Sequence, residues 1–497
     1  MSSMENKIRS KWNSIPLTVK VSAAYAICSI LQRCLSFITM PIFVRLLTTE
    51  QYGMYVVYQS WNSILTIFIT LNLAFGSFSK AMIKFEKDRE GYIASVEGMC
   101  LVLAVLFLVI YLPFRDLWNG LFELPTSIML LMVGEILGST AILLWSGKKR
   151  FEFKYKCVVA VTLIMSVLSP VLAYILVINS EDKGYARIFG YSIVIILFGL
   201  FFFGLNLFRG KRLFNKEYWK YGLTFNLPLL AYYLSQYVFN QSDRIMIDHL
   251  VNRDKAAIYG VAYSLAMVLT FIINATNNSY IPWFYLKIKD GKEFENKKVS
   301  LIISGMMAIL LCGVVWFAPE IIAIIGGEEY VEAVFVIPPV AISLLMLFYA
   351  QMFICVEFYY EKKKRLVIAS VVAALLNIIL NWIFIPKFGY IAAAYTTLFS
   401  YIVFAFANYL AMKSILKELS LEDNAYDYFK MIMVFIALIV CSVLGIVLYS
   451  YVIARLIVAL IVLIVLIIKR KTLYDYYVMV FKSKKGKTSS GDDLNVE

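Results

Sequence analysis

The sequence predicts an all-α polytopic membrane protein of about fourteen transmembrane helices, with two six-helix lobes followed by two C-terminal helices. Three observations carry the prediction. The composition is 61% hydrophobic and only 16% charged, which in a soluble chain of this size would leave far too much apolar surface in water. Apolar runs of about 18 to 25 residues recur between charge clusters. Basic residues gather at every other loop, the pattern left by positively charged loops staying inside.

The runs fall near residues 21–44, 52–77, 92–113, 126–146, 157–178, 184–208, 219–242, 256–280, 299–318, 333–356, 366–385, 390–411, 430–450 and 451–469. The last two are divided only because about forty apolar residues can cross twice but not once. With both termini inside, 37 of the 47 Lys and Arg residues lie on the inner side and 9 on the outer, with Arg33 in neither group. The inner clusters include Lys148 to Arg150, Arg209 with Lys211 and Arg212, Lys362 to Arg365, and Lys469 to Lys471. The net charge of +14 is therefore a topology signal. No loop is long enough to make the basic face that nucleic acid needs.

The first twenty residues are polar and basic and lack the apolar stretch of a cleavable signal. Trp12, Ile15 and Leu17 among Lys7, Arg9, Lys11 and Lys20 fit an interfacial segment on the inner leaflet. Residues 471–497 form a cytoplasmic tail in which Tyr474, Tyr476, Tyr477 and Phe481 lie between basic clusters, as suits an anionic surface. The expected divisions are 1–20 at the interface, an N-lobe over 21–208, a C-lobe over 209–412, spans 13 and 14 over 413–470, and the tail. The seven cysteines have neither metal nor disulfide spacing, and the single histidine, His249, has no evident ligand partner in sequence.

The lobes rest on internal echoes. Tyr52 and Gly53 recur as Tyr259 and Gly260, and GKKRF at 147–151 recurs as KKKRL at 362–366. Both offsets map spans 1–6 onto 7–12 in the same orientation, a parallel repeat with its axis along the membrane normal. Two such lobes facing one another would enclose a cleft suited to alternating access.

Arg33 is the charge that most needs explaining. It lies about 18 Å from either end of the first run at 1.5 Å per residue, and a cation at that depth is expected to face a partner, a wet cavity or an anionic ligand. Polar stripes occur in other spans. Asn226, Tyr233, Gln236, Asn240, Asp243 and Arg244 recur at helical spacing in span 7. Span 8 carries Thr270, Asn274, Asn277 and Asn278, span 11 carries Asn377 and Asn381, and span 2 carries Asn62, Thr66 and Thr70. Such groups serve as interhelical hydrogen-bond glue, or together they line a lumen that solvates a polyhydroxylated cargo. Glu97 and Glu135 are the other charges at depth. A pairing of Glu135 with Arg33 inside one lobe is the alternative to an anionic ligand.

The segment from Arg33 through PIFVRLLTTEQYGMY resembles the first two spans of the polysaccharide-exporter and oligosaccharide-flippase family, within the multidrug/oligosaccharidyl-lipid/polysaccharide exporter superfamily. NLPLLAYYLSQYVFNQSDRIMI at 226–247, YGVAYS at 259–264 and LNIILNWIFIPKFGYIAAAYTT at 376–397 resemble its seventh, eighth, and eleventh with twelfth spans. The resemblance covers about residues 15 to 415.

It implies a flippase, not an enzyme, that carries an undecaprenyl-pyrophosphate-linked oligosaccharide from the inner to the outer leaflet of a prokaryotic cytoplasmic membrane. The partners it implies are that lipid-linked oligosaccharide, the bilayer and the polysaccharide polymerase machinery. No cofactor is expected, and no GxxxxGK[ST] phosphate loop occurs. H+ or Na+ coupling stays open, with Glu135 and Asp243 as the carboxylates to test. A multidrug cation antiporter would place acidic residues deep in the lobes, whereas the first span here carries an arginine; a lipid II flippase would carry a cluster of arginines, and an integral-membrane polymerase would need larger outer loops.

Overall fold

The computed structural model describes residues 17–362 and 364–458. The interfacial segment before residue 17, the tail from 471 and most of the fourteenth span lie outside the described residues. Among the described residues every regular element is a helix. In chain order these are α1 (Leu17–Leu46), α2 (Thr49–Thr70), α3 (Phe78–Lys84), α4 (Arg89–Tyr111), α5 (Arg115–Phe122), α6 (Thr126–Phe151), α7 (Tyr155–Ile178), α8 (Lys183–Gly210) and α9 (Lys216–Asn226). They continue as α10 (Leu230–Leu250), α11 (Arg253–Lys289), α12 (Asn296–Trp316), α13 (Ala318–Ile325), α14 (Ile337–Tyr359), α15 (Lys364–Phe388), α16 (Ala392–Glu418) and α17 (Tyr428–Val447).

Eleven helices among the described residues are long and apolar enough to cross a membrane, where the sequence predicts fourteen spans. Two of the remaining three, spans 2 and 7, carry polar stripes. α2 and α10 form, with the breaks described below, but are absent from the eleven, because Gln59, Asn62 and Thr66 in one, and Gln236, Asn240, Asp243 and Arg244 in the other, dilute their apolar character. The third is the run at 451–469.

Helix starts follow local chemistry. Thr48 and Gln51 form a reciprocal capping box on α2, and Asp88, Asp182, Asn215 and Asp427 accept backbone N–H bonds at the starts of α4, α8, α9 and α17. Two breaks depart from the continuous spans that the sequence suggests. α2 stops at Thr70, and Leu71 (φ 45°) and Asn72 (φ 53°) turn left-handed before α3 begins. Span 7 is divided into α9 and α10 by a tight turn at Leu227–Leu229 that contains Pro228, where the missing N–H breaks the ladder.

The chain divides into two compact units, Met1–Gly260 with Ile324–Glu329, and Val261–Ala323 with Tyr330–Glu497. In the first, one core gathers Tyr58, Leu65, Tyr111, Met129 and Ile188, and a second gathers Leu73, Phe78, Tyr92, Met99 and Leu144. α6 and α8 approach closely where Gly138 meets Gly199. A Cβ on Gly138 would stand 2.9 Å from the Ile195 carbonyl, a small-residue crossing typical of membrane helices. In the second unit α14 is the central helix, buried along most of its length, and it packs against α16 and α12. Large apolar side chains such as Leu200, Phe201, Phe208, Ile379 and Trp382 are exposed, as hydrocarbon-facing positions should be.

Candidate functional site

Arg33 stands in the middle of the 30-residue α1 and is exposed. Glu135 of α6 is buried, and its carboxylate accepts hydrogen bonds from Tyr58 of α2 at 2.7 Å and from Ser192 of α8. Its hydrogen-bond partners are therefore two hydroxyls rather than Arg33. Glu97 of α4 is treated likewise, accepting from Asn206 of α8 at 2.7 Å. Tyr58, Ser192 and Asn206 carry no signal in sequence because they are distant in the chain and individually ordinary.

The polar residues of α9 and α10 meet α2 and the turn that follows it. Asn226 is fully buried and donates to Ser77 at 2.8 Å and to the Gly222 carbonyl at 2.9 Å, while its own oxygen finds no partner. Gly76 lies against Asn226 and the Tyr233 hydroxyl, so closely that a Cβ there would overlap both. The two broken helices thus meet at their breaks. Farther along α10, Asn240 donates to the Gln236 carbonyl at 2.7 Å, and Gln241 accepts from Ser60 of α2 at 3.3 Å and from Arg244. Asp243 is buried and accepts from the Tyr259 hydroxyl of α11 at 2.5 Å. Tyr259, singled out in sequence as half of a repeat, is therefore also a partner of the span 7 acid.

The repeat glycines mark a close crossing of α2 and the start of α11. A Cβ on Gly53 would overlap the Arg253 backbone, and one on Gly260 would come within 2.8 Å of Val56. Thr49 donates to Asp254 at the same crossing. Nearby, Arg253 pairs with Asp248 at 3.3 Å and Glu123 at 3.4 Å. His249 joins this cluster, its ring nitrogens facing the Ile245 and Leu121 carbonyls at 2.9 and 2.8 Å. Glu123, Asp248 and His249 have ligand atoms within 4.8 Å of one another, but Arg253 already supplies the cation there.

In the second unit, Asn277 of α11 is buried and donates to Gln351 of α14, whereas Asn274 is exposed. Asn377 and Asn381 of α15 are fully buried. Asn381 donates to Asn377 at 3.3 Å, Asn377 donates to Thr397 at 3.1 Å, and Thr396 donates to Asn381. These four side chains form a polar knot between α15 and α16. Thr66 and Thr70 of α2 return their hydroxyls to the carbonyls one turn earlier, at 2.6 and 2.7 Å, and Thr270 bonds the Met267 carbonyl.

At the α6–α7 turn, outside the membrane-spanning segments, the predicted basic cluster is organised by acids. Glu152 takes Lys154 at 3.0 Å, Lys149 at 3.1 Å and Lys148 at 3.5 Å, and Lys148 also pairs with Glu90. Partial burial raises the Glu152 pKa, but the hydrogen bonds from Lys154 and Lys149 and the nearby lysine charges outweigh it and hold the group down to about 2.

The profile of the family described as "Polysaccharide biosynthesis protein" matches residues 19–285, more than half of the chain. The chain belongs to this family. Among curated relatives, it is 28% identical over 141 residues to "Lsg locus putative protein 1" of Haemophilus influenzae, a match covering 27% of the chain and 35% of that protein. It is 21% identical over 329 residues to an "Uncharacterized membrane protein" of the same organism, covering 63% of the chain and 74% of that protein.

Its fold is shared with solved transporters. An inward-facing multidrug resistance MATE family transporter of the MOP superfamily superposes with a TM-score of 0.60 at 15% identity, over 80% of this chain and 99% of that one. The lipid II flippase MurJ in an inward closed conformation superposes with a TM-score of 0.61 at 13% identity, over 87% and 99%. The chain is a multi-pass membrane protein that shares this fold.

Proposed function

We propose that this protein flips an undecaprenyl-pyrophosphate-linked oligosaccharide repeat unit from the inner to the outer leaflet of a prokaryotic cytoplasmic membrane by alternating access, with both termini cytoplasmic. The product would feed polymerisation into O-antigen, capsule or exopolysaccharide. The observation that carries the reading is Arg33, an exposed guanidinium about 20 Å from the nearer end of α1. A diphosphate headgroup is the anion that a family of polysaccharide biosynthesis would bring to that depth.

Two further features support it. The half-buried amides Asn62 of α2 and Gln236, Asn240 and Gln241 of α10 supply uncharged hydrogen-bonding groups within hydrocarbon depth, which suits sugar hydroxyls that cannot cross lipid unaided. The cytoplasm is negative, so outward movement of an anion is downhill by about 2.3 kcal/mol per charge per 100 mV. Where H+ or Na+ is exchanged as well, Glu135 and Asp243 are the groups to carry it.

The test is Arg33→Ala in cells, scored for surface polysaccharide with membrane abundance measured in parallel. Loss of polymer from a variant still present in the membrane is the expected result. Normal polymer would overturn the role.

A further inference from the structure

Arg187 counts in the sequence as one of nine outer basic residues, but the structure buries it. It lies one turn inside the N-terminal end of α8 and is 4% exposed. Three rings enclose its guanidinium: Tyr55 with its centroid 3.7 Å away, Tyr52 at 4.4 Å and Phe43 at 4.6 Å. Its Nε and Nη1 groups are buried and find no hydrogen-bond acceptor among the described residues.

An arginine cannot shed its charge to escape this setting, and burying a cation without an acceptor is costly. Attraction to the ring faces offsets part of that cost, but faces cannot serve the N–H groups at the edge. Glu135, a buried carboxylate of the same unit, is already held by Tyr58 and Ser192. Two donors of a permanently charged group therefore stand without an acceptor among the described residues.

We propose that Arg187 is a second anion-receiving residue, whose Nε–H and Nη1–H donate to phosphoryl oxygens of the transported headgroup while Tyr52 and Tyr55 wall the adjoining sugar. The inference rests on the flippase reading. With the termini inside, α8 begins at the outer face, so Arg33 takes the anion at mid-depth and Arg187 takes it nearer the exit.

The test uses the full chain in lipid nanodiscs, with sodium pyrophosphate and geranylgeranyl diphosphate as probes and the melting temperature as readout. Both probes are expected to raise the melting temperature of the wild type. Arg187→Met is expected to weaken that response about tenfold to a hundredfold in apparent affinity, with no loss of melting temperature in the absence of anion. A response to both probes assigns the site to the phosphoryl group whatever its source, and a response to the lipid form alone assigns it to a lipid-linked headgroup. Either supports the inference.

An equal response in wild type and Arg187→Met, or none in either, overturns it. So does a response lost in Arg33→Ala yet intact in Arg187→Met, a result that leaves the flippase reading standing. Where Arg187→Met does not fold, Arg187→Lys carries the test, and an unchanged response from it also overturns the inference. Normal surface polymer in Arg33→Ala cells is the separate failure of the flippase reading.

Discussion

Tyr259 donates its hydroxyl to the Asp243 carboxylate at 2.5 Å, and both residues are buried. The bond ties the far half of α10 to the start of α11, with only the short turn at Val251 and Asn252 between the two helices. Tyr259→Phe removes the donor and keeps the ring, so it should destabilise the protein by about 1–3 kcal/mol, the range for a buried hydrogen bond to a charged group. Denaturation of the purified variant in mixed micelles measures this. An unchanged midpoint would show that the bond contributes nothing.

Gly53 and Gly260 lie at the crossing of α2 with α11, where neither has room for a methyl group. Gly53→Ala faces Arg253 backbone, which cannot swing away, whereas Gly260→Ala meets the Val56 side chain. Both should destabilise by about 1–3 kcal/mol through overpacking, with Gly53→Ala the more severe. The reverse order would mean that the backbone yields more readily than the valine.

Glu135 bonds Tyr58 and Ser192. Arg33→Gln and Glu135→Gln should therefore affect stability independently, with the double variant equal to the sum of the singles within about 0.5 kcal/mol. A coupling energy above about 1 kcal/mol would mean that the arginine and the glutamate interact after all.

Glu152 gives a pH signature. Its pKa in the folded protein is about 2 against an ordinary 4.5, so its stabilising contribution is complete above the ordinary value and fades as pH falls from about 4.5 towards 2. The stability difference between wild type and Glu152→Gln should be constant near neutral pH and shrink across that window. A difference that grows on acidification would contradict the lysine cluster as its cause.

The class, the order of most helices and the family were legible because they rest on run length, charge asymmetry and motif order, all local properties. The polar character of Asn226, Asp243, Asn377 and Asn381 was legible too, since helical spacing alone puts them on shared stripes. Their partners were not. Ser77, Tyr259, Thr396 and Thr397 become partners only through tertiary packing. Arg187 was hidden for a related reason: a basic residue near a helix end looks solvated until the aromatic side chains that cover it arrive from α1 and α2. The break after Thr70 has no proline or glycine at its first two positions, and Leu71 adopts a left-handed conformation that no local preference asks for.

The two helices too polar to rank among the membrane-crossing eleven, α2 and α10, have a consequence for biogenesis. With several amides and an acid in α2, and amides, acids and an arginine in α10, each segment gains too little from partitioning into lipid to leave the translocon by itself. α2 must be retained until α6 and α8 can receive its tyrosines, and α10 until α2 and α11 can receive its glutamine and aspartate. Nascent chains cut after α2 should therefore leave that segment accessible to aqueous thiol reagents at an introduced cysteine, and chains long enough to include α8 should protect it. The order of synthesis, with α2 before its partners, makes delayed insertion an obligatory stage in the protein's assembly.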